Sequence, residues 1–293
     1  MSQGPDNRRD AAAAAAHPAD IEEIELELFV HAMRRRFGYD FSGYATASLR
    51  RRVNALCQHA GVGRVVDLLP RLLDESDFLR QALRFLSVPV SELFRDPEVF
   101  ARLRADFLPE LASYPRINIW QAGCAHGEEV YTMAILLKEL GLYDRCRIYA
   151  TDFNDQALDR AREGIFPAAQ VPRYTDNYLQ SGGQGSLADY YHARYDFIRM
   201  DRALLDNVIF ANHNLVTDGV FAETHLVMCR NVLIYFARPL QHQVLALFSD
   251  SLVRRGLMVL GTRETIARAP VSELFETLDA GARIFRRTAR AEV

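Results

Sequence analysis

From Arg116 onward, short apolar runs alternate with helical stretches, and this alternation constrains the fold more than any other feature of the chain. INIWQAG (117–123) reads as a buried strand, 128–140 as a helix, RIYATD (147–152) as a strand and 155–163 as a helix. NVIFANHNL (207–215) and THLVMCRN (224–231) read as strands, followed by an amphipathic helix over 239–254 and the strand LMVLG (257–261). ARIFRR (282–287) reads as an edge strand. Strands alternating with helices of this length predict a doubly wound, mostly parallel α/β sheet. Residues 167–206, rich in tyrosine, glycine and charge, interrupt the alternation and read as an insertion standing off the sheet.

The first hundred residues have a different texture. Residues 1–19 are low in complexity and read as a disordered tail. From Asp20, a candidate N-cap, Ile21, Ile24, Leu28 and Ala32 recur at helical spacing and are expected to face a core. Further helices are expected around Leu49, Val53 and Leu56, then across 65–73 and 78–86, giving a small all-helical unit over 20–85. That unit holds ten basic and ten acidic residues, yet its arginines cluster at Arg34–Arg36 and Arg50–Arg52. Such triplets are usually a solvated helix face. The alternative is a docking patch for an acidic partner.

Composition removes several function classes. A net charge of -3 gives no electrostatic footprint for nucleic acid. No apolar run approaches a membrane span, and no secretory h-region is present, so a cytoplasmic protein without membrane insertion is expected. Cys57, Cys124, Cys146 and Cys229 form no CxxC pair, and the eight histidines show no metal-ligand spacing. No metal is expected. His126 reads as an ordinary loop residue.

The end of the first strand is the informative turn. Gly123-Cys124-Ala125-His126-Gly127 leads into Glu128 and Glu129, where a dinucleotide fold would hold pyrophosphate on a helix N-terminus. Carboxylates there stabilise the helix dipole by roughly 0.3–1 kcal/mol each and repel phosphate. A cationic cofactor without phosphate fits better, and S-adenosylmethionine, with its ammonium and sulfonium, has that character. Asp152, at the end of the second strand, can accept ribose hydroxyls, or alternatively cap the following helix.

Five segments occur in order: LSVPVSELFRDPEVF (86–100), WQAGCAHGEEVYT (120–132), ATDFNDQAL (150–158), NHNLVTD (212–218) and CRNVLIYF (229–236). Together they closely resemble the CheR-type protein-glutamate O-methyltransferases of bacterial chemotaxis, over residues 20–288. The resemblance implies a Rossmann-like methyltransferase sheet over 86–293, preceded by an all-helical domain and carrying a small inserted β-subdomain. It implies transfer of a methyl group from S-adenosylmethionine to glutamates of a chemoreceptor or receptor-like hybrid kinase. Docking would run through the arginine-rich helices, and in some members the β-subdomain holds a receptor-tail pentapeptide.

By motif, the resemblance places Glu128 and Glu129 at the amino-acid end of the cofactor, without choosing between them. It places Asp152 on the ribose, Asn214 and Leu215 at the adenine, and Arg230 and Asn231 beside the methionine portion. Arg95 and Tyr235 border the methyl-transfer site, and Arg95 also counts among the cofactor residues. Where the family commonly has N-x-T, this chain has Pro89-Val90-Ser91, so Ser91 partly replaces the threonine. Proline lacks a backbone donor, which leaves a second reading open: a CheR-like cofactor-binding module with weakened catalysis. A methyltransferase for small molecules or nucleic acid is disfavoured by the acidic pI near 6.3 and the helical front unit.

Overall fold

The computed structural model describes residues 18–75, 77–87 and 91–288. The expected tail lies outside these residues except for Pro18 and Ala19, which open the first helix; Pro89 and Val90 also lie outside. The front unit contains α1 (Pro18–Phe37), α2 (Thr46–Ala60), α3 (Leu68–Asp74) and α4 (Phe78–Leu86). Asp20 sits within the first turn of α1 and is not its cap.

The buried face of α1 differs from the expected one. Leu26, Phe29, Val30 and Met33 are buried, whereas Ile21, Ile24 and Leu28 are 40%, 52% and 48% exposed. Both stripes obey the helical period, so periodicity alone does not choose between them. The larger aromatic side chain belongs to the inner stripe: Phe29 packs with Val53, Leu56, Leu68, Phe78 and their neighbours into the core of the unit.

A short helix, α5 (Pro97–Arg102), leads into the sheet domain, with proline at its start. The domain continues through β1 (Ile117–Ala122), α6 (Glu128–Glu139), β2 (Cys146–Asp152) and α7 (Asp155–Glu163). Next come β3 (Ile165–Pro167), α8 (Val171–Gln180), β4 (Tyr191–Arg194) and β5 (Phe197–Met200), whose strands form a separate antiparallel sheet in the order β3-β5-β4. This is the inserted β-subdomain. The main sheet is completed by β6 (Val208–Asn212), β7 (Thr224–Cys229), β8 (Leu252–Leu260), β9 (Phe275–Asp279) and β10 (Ile284–Arg287), with α9 (Arg238–Ser251) between β7 and β8.

The main sheet runs β6-β2-β1-β7-β8-β10-β9. The first five strands are parallel, and β10 is antiparallel to both its neighbours. This matches the doubly wound class. The expected edge strand is corrected: β10 lies inside the sheet, and β9, the sequence FETLD, forms the edge. Glu276, Thr277 and Asp279 interrupt any apolar run there, as suits a strand that must discourage further pairing. The helix expected to reach residue 254 ends at Ser251, because Leu252 already pairs with Thr224.

Strand order reverses between β1 and β7, which places the ligand crevice of an open α/β sheet beyond their carboxyl ends. The register is consistent with that: Ala122 opposes Thr151, so Gly123 and Asp152 leave the sheet side by side.

The assignment of the α1 faces has a measurable consequence. Phe29→Ala removes a fully buried ring and is expected to cost about 3–5 kcal/mol in urea unfolding. Ile24→Ser, on the exposed stripe, should stay within about 0.5 kcal/mol of the parent. The opposite ranking would return the core to the Ile21–Leu28 face.

Candidate active site

A tight turn begins the site. The amides of Gly123 and Cys124 both donate to the Thr151 carbonyl, at 2.8 and 2.9 Å, pulling the end of β1 against β2. Gly123 has φ 76°, and a Cβ there would lie 2.6 Å from the Val232 side chain. Gly127 has φ 93°, and its Cβ would meet Ala161 at 2.9 Å. Both positions therefore require glycine. The turn lets α6 start close to the sheet and brings its first carboxylates to the crevice.

Those two carboxylates part company. Glu129 lines a cavity at the switch point together with Gly123, Cys124, Ala125, Asp152 and Arg230. Its Oε2 accepts from Arg230 Nη1 at 2.8 Å. Burial raises its pKa, and the charges of Arg230 and Arg95 oppose that shift. Glu128 is 5% exposed and does not line the cavity. Burial, with Glu92 and Glu129 near it, pushes its pKa up to about 7, and its Oε2 has no hydrogen-bond partner. Of the pair left open by the sequence, Glu129 is the one that lines the cavity.

Arg230 fixes this end of the cavity. Its side chain is 1% exposed, donates to Glu129 and to Asp96 Oδ2 (2.6 Å), and lies over the Phe100 ring. Asp96 has φ 54° and precedes α5, so the ion pair holds the neighbouring Arg95 at the cavity wall. Arg95 also borders an open, charged depression with Glu92, Glu98, Arg173 and Asn177. One residue thus borders both the cavity and the outer depression.

Asp152 is 9% exposed; its two oxygens accept from Ala125 N and Asn154 N, each at 3.0 Å. Burial raises its pKa and these amides counter it. The capping alternative is corrected: Asn154 caps α7 by accepting from Gln156 N at 3.0 Å. Each Asp152 oxygen retains a lone pair for a hydroxyl. Asn214 and Leu215 follow β6 into the same cavity, with Asn214 Oδ1 held by Val216 N at 3.0 Å. Ser91, Asn231 and Tyr235 complete the expected set along its walls.

The helical unit contributes to the wall as well. Tyr44, Arg52, Leu86 and Ser87 line the cavity, although nothing in the sequence reading assigned them there. Arg52 had been grouped with the exposed arginine triplet. It is 6% exposed, its guanidinium carbon is 4.2 Å from the centroid of the Tyr235 ring, and Nη1 donates to the Leu86 carbonyl. Its Nε and Nη2 have no partner. Arg50 is partly buried and Arg51 exposed, so only part of the triplet faces outward. The signal available was the spacing on α2, where Arg52 shares the buried side with Leu49, Val53 and Leu56.

His213 is a further unassigned cavity residue. Its ring packs edge-on against Trp120 (5.2 Å between centroids), and Nε2 is 3.1 Å from the Gly219 carbonyl. His126 stays outside the cavity. Among the described residues, no cluster could hold a metal, and all four cysteines are buried and unpaired. The cavity is lined by the carboxylates of Glu129 and Asp152, the amide side chains of Asn214 and Asn231, the arginines Arg52, Arg95 and Arg230, and aromatic and apolar walls. It suits an adenosine carrying a cationic amino-acid end: Asp152 would hold the ribose and Glu129 the ammonium. It offers no cradle of free amides for pyrophosphate, because the Gly123, Cys124 and Ala125 amides are already engaged.

Comparison with known proteins agrees with that chemistry. Residues 89–282 match the family model described as the CheR methyltransferase, SAM binding domain, and residues 24–87 match the CheR methyltransferase, all-alpha domain. A Pseudomonas putida protein carrying the name Cher3 is 45% identical over 266 residues, covering 91% of this chain and 97% of that one. A chemotaxis protein methyltransferase of Listeria innocua is 27% identical over 249 residues, covering 84% and 92%. The solved structure of the N-methyltransferase NodS of Bradyrhizobium japonicum, in complex with S-adenosylhomocysteine, aligns at a TM-score of 0.39. It shares 14% identity over 68% of this chain and 90% of that chain.

Glu128 supplies a pH-dependent test of this geometry. Its ordinary pKa of 4.5 rises to about 7 in the fold, so its stability contribution is fully present below about pH 4.5 and is lost as pH rises through 7. Glu128→Gln is neutral throughout. The variant should match the parent near pH 4.5 and exceed it at pH 8 by up to about 3 kcal/mol. Urea midpoints at the two pH values measure this, and equal midpoints at pH 8 would mean that Glu128 reaches solvent.

Proposed function

The chain belongs to the CheR methyltransferase family, and on that premise we propose that it methylates glutamate side chains of a chemoreceptor or receptor-like signalling protein in the cytoplasm. The observation that carries the reading is the position of Arg95, which borders both the cofactor cavity and the open charged depression. A carboxylate entering from outside would meet this guanidinium at the cavity mouth. When bound, S-adenosylmethionine supplies an electrophilic methyl group on a sulfonium.

The remaining work falls to positioning. A glutamate side chain, with a reference pKa near 4.3, is already ionised at neutral pH and needs no general base. Charge is lost as ester and thioether form, which a dry site favours. Arg95 orients the carboxylate through its fork of donors. Arg52 adds a second buried cation beside Tyr235, whose ring closes the same wall. Asp152, Glu129, Ser91, Asn214, Leu215, Arg230 and Asn231 form the cofactor side, with Arg230 acting through Glu129 and Asp96.

No described helix is long and apolar enough to cross a membrane. Arg34, Arg35 and Arg36 are exposed at the end of α1, and Arg51 is exposed on α2, so basic side chains of the front unit face outward. This supports docking of an acidic helical segment on the front unit.

Radiolabelled transfer from S-adenosylmethionine to purified receptor cytoplasmic fragments tests the function, with a base-labile label marking a glutamyl ester. Arg95→Ala should lower kcat and kcat/KM together, while S-adenosylhomocysteine affinity and melting temperature change little. Arg95→Lys should rescue little, since a point charge cannot reproduce a planar fork. A parallel fall in affinity would make Arg95 a cofactor ligand instead. A label stable to base would exclude the ester.

The docking surface is tested separately from the cavity. Reversing Arg35 and Arg51 to glutamate, with Arg52 intact, should raise KM for the receptor and leave S-adenosylhomocysteine affinity unchanged. The parent's KM should itself rise with salt. A salt-independent KM, the same in parent and variant, would show these arginines to be a solvated face.

A further inference from the structure

The loop 230–235 carries Arg230, Asn231, Val232 and Tyr235 into the cavity, and its backbone is unusual. Asn231 has φ 60°, a left-handed conformation that few side chains adopt readily. It is followed by a single 3-10 turn, Leu233–Tyr235, whose first amides have no partner within the turn. Such a segment needs an outside anchor to hold one conformation.

The anchor is Glu264, on the loop after β8. Its side chain is 3% exposed. Oε2 accepts from Asn231 N at 3.1 Å and from Gly261 N at 2.5 Å, and Oε1 accepts from Ile234 N at 3.2 Å. The loop beneath is fitted to this carboxylate: a Cβ at Gly261 would lie 2.8 Å from both Asn231 N and Glu264 Oε2. Glu264 N in turn donates to the Gly261 carbonyl at 2.8 Å, closing the turn on itself. One carboxylate therefore spans two loops that leave neighbouring parallel strands, β7 and β8.

We propose that Glu264 is a positioning residue for the cofactor site, setting Asn231 and Tyr235 through the backbone amides of their loop. It does not line the cavity. Its carboxylate fixes the left-handed turn at Asn231, which sends Arg230 towards Glu129 on one side and Tyr235 towards Arg52 on the other. Without it, the amides of Asn231 and Ile234 lose their acceptor, and the loop relaxes away from φ 60°. The inference rests on the cofactor cavity described above.

Calorimetry with S-adenosylhomocysteine, at a temperature where circular dichroism shows every variant folded, tests the proposal. Glu264→Ala should weaken binding about tenfold or more, since displacements near 1 Å in a binding constellation have effects of this order or larger. Glu264→Gln keeps the shape and one acceptor oxygen but turns an amide donor towards backbone donors, so its loss should be smaller than that of alanine. In a double-mutant cycle with Asn231→Ala, the two losses should combine to less than their product, because the second change removes what the first had displaced.

A merely structural glutamate would lower the melting temperature and leave affinity in the folded state intact. Parental affinity in folded Glu264→Ala, or losses that multiply, overturns the proposal. Should the alanine variant fail to fold, Glu264→Gln carries the same test, with a loss of about threefold or more expected and parental affinity overturning the proposal. Absence of binding by the parent protein would remove the cavity reading, and the proposal with it. Parental binding combined with an unaffected variant removes the role of Glu264 alone.

Discussion

A single buried guanidinium ties the site together. Arg230, at the end of β7, reaches Glu129 at the start of α6 and Asp96 at the start of α5. These three segments are widely separated in sequence and meet at this guanidinium. Burying such charges costs several kcal/mol per ion unless each is paired and hydrogen-bonded. The two short bonds and the Phe100 ring beneath the guanidinium offset that cost. Removing one partner would leave an uncompensated charge, a loss of about 3–5 kcal/mol. The positive φ at Phe94 and Asp96 on either side of Arg95 persists because the surroundings hold it. Phe94 N donates to Thr132 Oγ1 of α6, and Asp96 is clamped by Arg230. Arg95 is delivered to the cavity by its neighbours' bonds.

The second constraint is the seam between the helical unit and the sheet domain. Tyr44 pairs with Phe236 in an antiparallel bridge, with Ala45 N donating to the Tyr235 carbonyl and Ala237 N to the Gly43 carbonyl. Gly43 is required there, because a Cβ would sit 2.8 Å from the Leu240 side chain. Asn154 Nδ2 donates to Ser87 Oγ, a second link between the units. The unit that presents arginines outward therefore also supplies cavity wall.

Periodicity exposed the sheet because parallel strands are buried on both faces and read as continuous apolar runs. It missed β9, two of whose five residues are charged, and it chose the wrong stripe of α1, where two apolar stripes satisfy one period. The site was legible where it follows chain ends of strands: Asp152, Asn214 and Arg230 all leave parallel strands towards the switch point. Arg52 was hidden inside a run of identical residues. Glu264 was hidden because its partners are backbone amides, which leave no mark in side-chain identity.

By itself the sequence determined the alternation of strands and helices, the glycine turn with its paired carboxylates, the family motifs and the absence of metal-ligand spacing. These are local properties, carried by neighbours along the chain. The tertiary structure decided which of Glu128 and Glu129 lines the cavity, which arginine of a triplet turns inward and which residue caps α7. It also decided which strand forms the edge. Each of these depends on what a side chain meets across the fold, and burial and pairing energies between distant segments cannot be read from either segment alone.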